Sequence, residues 1–280
     1  MDAKERIPRR DYSALDRPEV LELLFHPVRV NRTKPPAGWV DHDIPVGDGV
    51  TVAARFHLPA EKSAGNIIFF HGNGELAGDY DEAGARFVER GLGFIAADYR
   101  GYGWSSGAPS VTAMIGDCHA IFDYVTEQLA GEGRTGHLVV MGRSLGSAPA
   151  LELAAFRQND LAGAIIESGF ANTRPVLRAL GIDVDSLGIT EAAGFGNLSK
   201  IRVITKPVLI LHAQHDQIIP ISEAADLHAE CGAAGKELQM IPGADHNNIL
   251  QVTGPMYYEV ISRFVGRLGR PARRKKSGVR

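Results

Sequence analysis

The sequence predicts an α/β fold in which helices cover both faces of a mostly parallel sheet. From residue 66 onward, short continuous apolar runs alternate with segments of helical spacing, and such runs are typical of strands buried on both faces. Before them, Asp48-Gly49 separates two strand-like runs and predicts an antiparallel hairpin. A third observation is the segment 142–146, Gly-Arg-Ser-Leu-Gly, which lies where an apolar strand gives way to a helix.

The hairpin strands are predicted at 40–46 and 50–58. Further strands are predicted at 66–70, 93–97, 137–141, 161–166, 207–212 and 237–241. Helices are predicted at 81–90, 111–129, 147–155, 223–230 and 256–268.

We divide the chain of 280 residues into an N-terminal arm (1–38), one large domain (39–270) and a tail (271–280). The arm has helical spacing over 15–25 and then several prolines, so we expect it to cross the outside of the domain, where it could form one edge of a substrate entrance. The tail is basic, and we expect it to be solvated and disordered, although it could also contact acidic lipid or nucleic acid.

One interval, 171–205, interrupts the alternation of strands and helices because it carries four glycines and no continuous strand. We expect a short cap insertion over the carboxyl ends of the strands, where ligands bind in such sheets. It would bring apolar side chains over the cleft: Leu177, Leu180, Ile182, Leu187, Ile189 and Phe195. The alternative is a surface excursion with its own small apolar cluster.

Composition limits the function classes. The formal net charge of −3 gives no reason to expect a nucleic-acid partner. The two cysteines do not make a disulfide framework and are expected to be reduced, and the charged N-terminus lacks the apolar region of a signal peptide. No apolar run reaches the roughly 20 residues of a membrane span, so we expect a cytoplasmic protein without stable membrane insertion.

The segment around Ser144 has the pattern of a nucleophile elbow, G-x-S-x-G between a strand and a helix. The turn forces the serine into a strained backbone conformation, and a Cβ at Gly142 or Gly146 would clash with a neighbouring element. We therefore predict that Ser144 is a catalytic nucleophile. The competing interpretation is a glycine-rich turn that happens to hold a serine.

A serine nucleophile needs a base, usually a histidine oriented by a carboxylate. Asp216 and His246 each follow a predicted strand, in the chain order Ser, acid, His, so all three would emerge at one edge of a parallel sheet. We predict this triad. Asp245 is an alternative acid. His215 is an alternative base, although it is adjacent to Asp216 on one loop and the two residues would have to turn back onto each other.

Two backbone N–H groups are expected to bind the oxyanion, that of Leu145 and that of Asn73 in the loop His71–Gly74. Arg143 is expected to pair with Glu167 at the neighbouring strand end; alternatively it faces the cleft and attracts an anionic substrate. We expect no cofactor, because the sequence lacks a phosphate-binding Gly-rich motif, and no metal, because metal-ligand spacing is missing.

Five motifs together resemble the α/β-hydrolase superfamily, and more narrowly its Bem46-like and ABHD13/ABHD17-like branch. They are HGNG at 71–74, DYRGYGWSSG at 98–107, GRSLG at 142–146, HAQHDQIIP at 212–220 and GADHNN at 243–248. The resemblance covers about residues 40–268. It implies the α/β-hydrolase fold, an eight-stranded sheet with an antiparallel start, and a triad of Ser144, Asp216 and His246. The superfamily includes esterases, thioesterases and peptidases.

The sequence therefore predicts a serine hydrolase that cleaves small-molecule acyl esters or thioesters through an acyl-enzyme intermediate. One alternative is an aminopeptidase or amidase, for which Glu167 is the candidate to bind a substrate amine. Another is a binding module or sensor that keeps the hydrolase fold without useful turnover. The complete set of triad residues favours the enzyme.

Overall fold

The computed structural model describes residues 10–268. The first nine residues of the arm and the predicted basic tail lie outside this range. Eight strands form one sheet: β1 (Val40–Gly47), β2 (Val50–His57), β3 (Asn66–Phe70), β4 (Gly93–Ala97), β5 (Leu138–Arg143), β6 (Gly163–Glu167), β7 (Val208–Ala213) and β8 (Lys236–Ile241). Their spatial order is β1-β2-β4-β3-β5-β6-β7-β8.

Nine α-helices accompany the sheet within residues 10–268. They are α1 (Pro18–Leu24), α2 (Asp81–Val88), α3 (Val111–Gly131), α4 (Ser147–Phe156), α5 (Thr173–Ala179), α6 (Asn197–Val203), α7 (Ile221–Glu230), α8 (Ile249–Thr253) and α9 (Pro255–Leu268). The predicted strands and the five predicted helices of the domain are confirmed to within a few residues. None of the helices in the described part of the chain is long and apolar enough to cross a bilayer.

The pairing of the strands agrees with the predicted fold class. β1 pairs with β2 and β2 with β4 in antiparallel fashion, whereas all pairs from β4 through β3 to β8 are parallel. At the hairpin, Asp48 and Gly49 have φ values of 53° and 70°, the positive pair that a tight turn of the I′ type requires. The carboxyl ends of six parallel strands therefore meet at one edge of the sheet.

The sheet is covered on both faces by apolar layers. The larger layer lies under α3, α4, α6 and α7, and the smaller one lies under α2 and α9. Both cysteines of the chain are free and buried.

The arm is packed against the larger layer, and its Leu15 and Val20 are fully buried there. Asp16 Oδ1 accepts a hydrogen bond of 2.7 Å from the backbone N–H of Val111, the first residue of α3. The arm thus stabilises the N-terminus of a core helix.

The insertion 171–205 forms α5, a short 3₁₀ turn and α6, and it contains no strand. Leu177, Ile182 and Phe195 are buried in the larger apolar layer, so they join the main core rather than a separate surface cluster. Arg17 of the arm donates a 2.8 Å hydrogen bond to the carbonyl of Leu187, which ties arm and insertion together.

Candidate active site

The turn after β5 has the geometry predicted for a nucleophile elbow. Ser144 has a φ of 51°, a conformation that L-residues adopt only when the surrounding structure imposes it. A Cβ added at Gly142 would lie 2.1 Å from the carbonyl oxygen of Gly146, and one at Gly146 would lie 2.1 Å from that of Phe70. The steric reason given for both glycines is therefore confirmed.

The structure brings Ser144, His246 and Asp216 into one chain of hydrogen bonds. Ser144 Oγ lies 3.0 Å from His246 Nε2, and His246 Nδ1 lies 2.7 Å from Asp216 Oδ2. With a carboxylate at Nδ1, that nitrogen carries the proton, and Nε2 is left to accept the hydroxyl proton of Ser144.

Asp216 is buried at the end of β7, where its other carboxyl oxygen accepts hydrogen bonds from the backbone N–H groups of Ile218 (3.0 Å) and Ile219 (2.7 Å). Burial opposes its ionisation. The hydrogen bond and charge of His246, together with the N–H of Ile219, outweigh that effect and hold the pKa of Asp216 below its ordinary value. The carboxylate is therefore charged at neutral pH and fixed in orientation.

The alternative triad members are placed elsewhere. Asp245 accepts hydrogen bonds from the backbone N–H of Asn247 (2.9 Å) and the side chain of Asn248 (2.8 Å), so it stabilises its own turn. The side chain of His215 is exposed. Neither residue joins the hydrogen-bonded chain at Ser144.

A small cavity of about 40 Å³ opens beside Ser144. Apart from Ser144 and Asn73, its lining is apolar: Leu24, Leu145, Phe170, Val176, Leu180, Ile218 and Ile219. Three parts of the chain contribute to it, because Leu24 comes from the arm and both Val176 and Leu180 come from the insertion. Among residues 10–268, the backbone N–H of Asn73 donates to no protein acceptor, so it is available to a ligand in this cavity.

Comparison with known proteins agrees with this architecture. A family model described as "Serine aminopeptidase, S33" matches residues 61–184. The chain is 29% identical to protein bem46 of Schizosaccharomyces pombe over 226 residues, which cover 78% of this chain and 73% of that protein. It is also 29% identical over 225 residues to human alpha/beta hydrolase domain-containing protein 17B, covering 78% of this chain and 72% of the relative.

Solved structures show the same fold. The Pyrococcus furiosus esterase Pf2001 superposes with a TM-score of 0.69 at 17% identity, covering 86% of this chain and 98% of the esterase. The Paleococcus ferrophilus monoacylglycerol lipase gives a TM-score of 0.62 at 20% identity, covering 78% and 99%. The chain has the α/β-hydrolase fold. The predicted resemblance to the Bem46-like and ABHD17-like branch is confirmed.

Arg143 does not face the apolar cavity beside Ser144. Its Nε lies 3.3 Å from Glu167 Oε1, and its Nη2 donates a 2.8 Å hydrogen bond to the backbone carbonyl of His246. Its Nη1 pairs with Glu75. Although burial opposes the charge, the neighbouring Tyr80, Glu75 and Glu167 raise the pKa of Arg143. Arg143 thus supports the loop that carries His246, from outside the apolar cavity.

Glu167 is also occupied, because Tyr257 donates a 2.6 Å hydrogen bond to its second oxygen. Burial raises the pKa of this carboxyl against the opposing effect of Arg143. Glu167 does not line the cavity at Ser144, and no carboxylate does so among the described residues. The expected role of Glu167 as a binder of substrate amines therefore has no geometric support.

Sequence reasoning missed Glu75. Its Oε2 accepts hydrogen bonds of 2.6 Å from the backbone N–H of Gly72 and 2.6 Å from the hydroxyl of Tyr80. Because Glu75 also pairs with Arg143, one carboxylate joins the loop after β3 to the elbow. A glutamate directly after HGNG is the only signal that the sequence offered.

Within residues 10–268, no group of three or more His, Cys, Asp or Glu side chains is arranged to hold a metal ion. The charged side chains at the edge of the sheet are arranged instead as ion pairs and as the hydrogen-bonded chain at Ser144.

Proposed function

We propose that this chain is a serine hydrolase that cleaves acyl esters or thioesters through an acyl-enzyme intermediate on Ser144. The observation that carries the proposal is the continuous hydrogen-bonded chain from Ser144 Oγ through His246 to Asp216, with separations of 3.0 Å and 2.7 Å. A serine so placed is activated, because the histidine can accept its proton as the bond to carbon forms.

In the first half-reaction, Ser144 Oγ attacks the acyl carbon and its proton passes to His246 Nε2. The imidazolium that forms is stabilised by the carboxylate of Asp216, whose lowered pKa keeps it charged. His246 then donates the proton to the departing alcohol or thiol, and the acyl group stays on Ser144. In the second half-reaction, water gives a proton to His246 as its oxygen attacks the acyl carbon, and His246 then returns that proton to Ser144 Oγ as the bond to the acyl group breaks and the acid is released.

The negative charge that develops on the carbonyl oxygen needs donors fixed in advance. The backbone N–H groups of Asn73 and Leu145 are our candidates, since both residues line the cavity at Ser144 and the N–H of Asn73 has no protein acceptor among the described residues. Together with the triad they account for each step of acyl transfer without a cofactor.

The substrate class follows from the cavity lining. Seven apolar side chains beside Ser144 suit a small uncharged acyl group, and among residues 10–268 no charged side chain lines this cavity to bind a substrate carboxylate or amine. For this reason we favour an ester or thioester over an aminoacyl substrate. Among the structural neighbours, a monoglyceride lipase of Saccharomyces cerevisiae was solved in complex with a substrate analogue.

The test is labelling with a fluorophosphonate, which reacts with activated serines, followed by mapping of the modified residue. We expect wild-type protein to be labelled at Ser144, and Ser144→Ala and His246→Ala to remain unlabelled. Ser147→Ala is the matched control: the same chemical change three residues further on, at a buried serine outside the triad. It should label as wild type does.

Hydrolysis of nitrophenyl and thioester substrates completes the test. We expect Ser144→Ala to lose about 10⁴-fold or more in kcat. Normal hydrolysis by Ser144→Ala contradicts the proposed mechanism. Failure of the folded wild-type protein to label at all would favour a ligand-binding sensor, and preference for aminoacyl anilides over esters would favour a peptidase.

A further inference from the structure

The N-terminal arm contacts the loop after β3 at the side-chain amide of Asn73. The side-chain oxygen of Asn73 accepts a 2.8 Å hydrogen bond from the backbone N–H of His26 and another of 2.8 Å from the hydroxyl of Tyr102. Its side-chain nitrogen lies 2.9 Å from His26 Nδ1. The side-chain amide of Asn73 is thus contacted by two residues, His26 and Tyr102.

These contacts determine the orientation of the amide. The backbone N–H of His26 can only donate, so the Asn73 oxygen must face it, and the Asn73 NH₂ group then faces the imidazole. Nδ1 of His26 therefore accepts, and the ring proton lies on Nε2. His26 thus hydrogen-bonds to both ends of the Asn73 amide, through its own backbone N–H and through its ring.

The segment that carries His26 is itself fixed. Leu24 and Phe25 are buried, with 2% and 4% of their surfaces exposed. On the other side, the backbone N–H of Val30 donates to the carbonyl of Gly103 (3.0 Å), and the N–H of Gly103 donates to the carbonyl of Val28 (2.8 Å). The backbone is therefore held in place on both sides of His26.

We propose that His26 is a positioning residue that sets the oxyanion-binding N–H of Asn73. Asn73 lines the cavity at Ser144, and the flanking Gly72 and Gly74 permit the loop more than one backbone path. With the side chain of Asn73 held by His26 and Tyr102, its backbone N–H keeps one direction. This inference rests on the proposed function, because it assigns a role within that oxyanion site.

The test compares His26→Ala with His26→Asn. Alanine removes the ring acceptor but keeps the backbone N–H, whereas the side-chain oxygen of asparagine occupies the place of Nδ1. For hydrolysis of nitrophenyl butyrate, we expect His26→Ala to lower kcat about five- to tenfold with KM unchanged within about twofold, the effect of one lost orienting hydrogen bond. His26→Asn should recover most of this loss.

A second readout is inhibition by a trifluoromethyl ketone, whose adduct with Ser144 carries an oxyanion. We expect the inhibition constant to rise in His26→Ala by the same factor as kcat falls, while the melting temperature stays at the wild-type value. His228→Ala, on the distant helix α7, is the control and should change neither quantity.

The outcomes separate the two proposals. If wild-type protein hydrolyses the ester in a Ser144-dependent manner and His26→Ala keeps wild-type kcat and inhibition, the positioning role is wrong and the proposed function stands. If both His26 variants lose activity only in step with a lowered melting temperature, the role is merely structural and the inference is also overturned. Wild-type protein without Ser144-dependent hydrolysis overturns both proposals.

Discussion

Substitution Glu75→Gln tests whether the ion pair behind the elbow holds the site together. Glutamine keeps the size of the side chain but replaces one acceptor oxygen by an NH₂ group. That group must then face either the guanidinium of Arg143 or the two donors from Gly72 and Tyr80. In each arrangement two donors oppose each other, because no rotation of the amide supplies acceptors on both sides.

The expected cost follows from the partial burial of the pair. The side chains of Arg143 and Glu75 are 12% and 25% exposed, so the carboxylate is partly solvated and the loss is that of one charge-assisted hydrogen bond, about 2 kcal/mol. For a protein of this length, that corresponds to a fall in melting temperature of about 4 °C. Because the same carboxylate fixes the loop of Asn73 and, through Arg143, the carbonyl of His246, we expect kcat to fall about tenfold as well.

The assay pairs a thermal melt with ester hydrolysis, and Glu89→Gln provides the matched control. Glu89 also pairs with an arginine, Arg86, but its side chain is 58% exposed, so the change there should be near zero. If Glu75→Gln melts and turns over as Glu89→Gln does, the ion pair does not support the site and the reasoning is refuted.

Three further perturbations test other parts of the structure. Gly146→Ala should abolish labelling of Ser144, because the new Cβ would meet the Phe70 carbonyl at 2.1 Å; an alanine variant that folds and labels normally would contradict this. Leu180→Ala should shift the preference among nitrophenyl esters from short to longer acyl chains, since it enlarges a cavity of about 40 Å³; an unchanged chain-length profile would contradict the assignment of the acyl site. Glu152→Gln breaks the buried pair with Lys200 and should cost about 3 kcal/mol at neutral pH. Burial opposes the ionisation of Glu152, but His119 and Lys200 outweigh that effect and hold its pKa below the ordinary glutamate value. The stability that Glu152 contributes is therefore present above the ordinary glutamate pKa and is lost as the pH falls through the lower pKa of the folded state. The melting temperatures of wild type and variant should converge in acid, and a difference that does not change with pH would contradict this pKa shift.

The positions of the three triad residues could be predicted from the sequence because each follows a strand. Parallel strands bring their carboxyl ends to one edge, so Ser144, Asp216 and His246 had to approach one another once the strands were identified. The strand-end rule does not separate Asp216 from Asp245, because Asp245 also follows a strand; the 2.7 Å contact between His246 and Asp216 separates them. What the residues do chemically stays a prediction until the labelling experiment.

Other contacts could not be predicted because they depend on where loops and the arm are packed. Glu75 meets Arg143, and His26 meets Asn73, across long sequence separations without any strand to set their register. The short helices α5, α6 and α8 were also missed, since each has only five to seven residues and too few turns for a periodic pattern. In these cases tertiary packing, rather than local pattern, decides the structure.

The position of Arg143 next to Ser144 explains how one edge of the sheet serves two requirements. Ser144 lies in the apolar cavity with Leu24 and Val176, whereas Arg143 lines a separate cavity of about 200 Å³ against Phe87 and Tyr257, on the opposite face of the sheet. The ion pairs that hold the histidine loop are therefore kept out of the acyl site. An arginine in the apolar cavity at Ser144 would oppose the binding of an uncharged acyl group. Arg143, one residue before Ser144, instead supports the loop of His246 from the other cavity. The proposed chemistry needs this separation, because an uncharged acyl group and a rigidly held histidine must be accommodated within a few ångströms of each other.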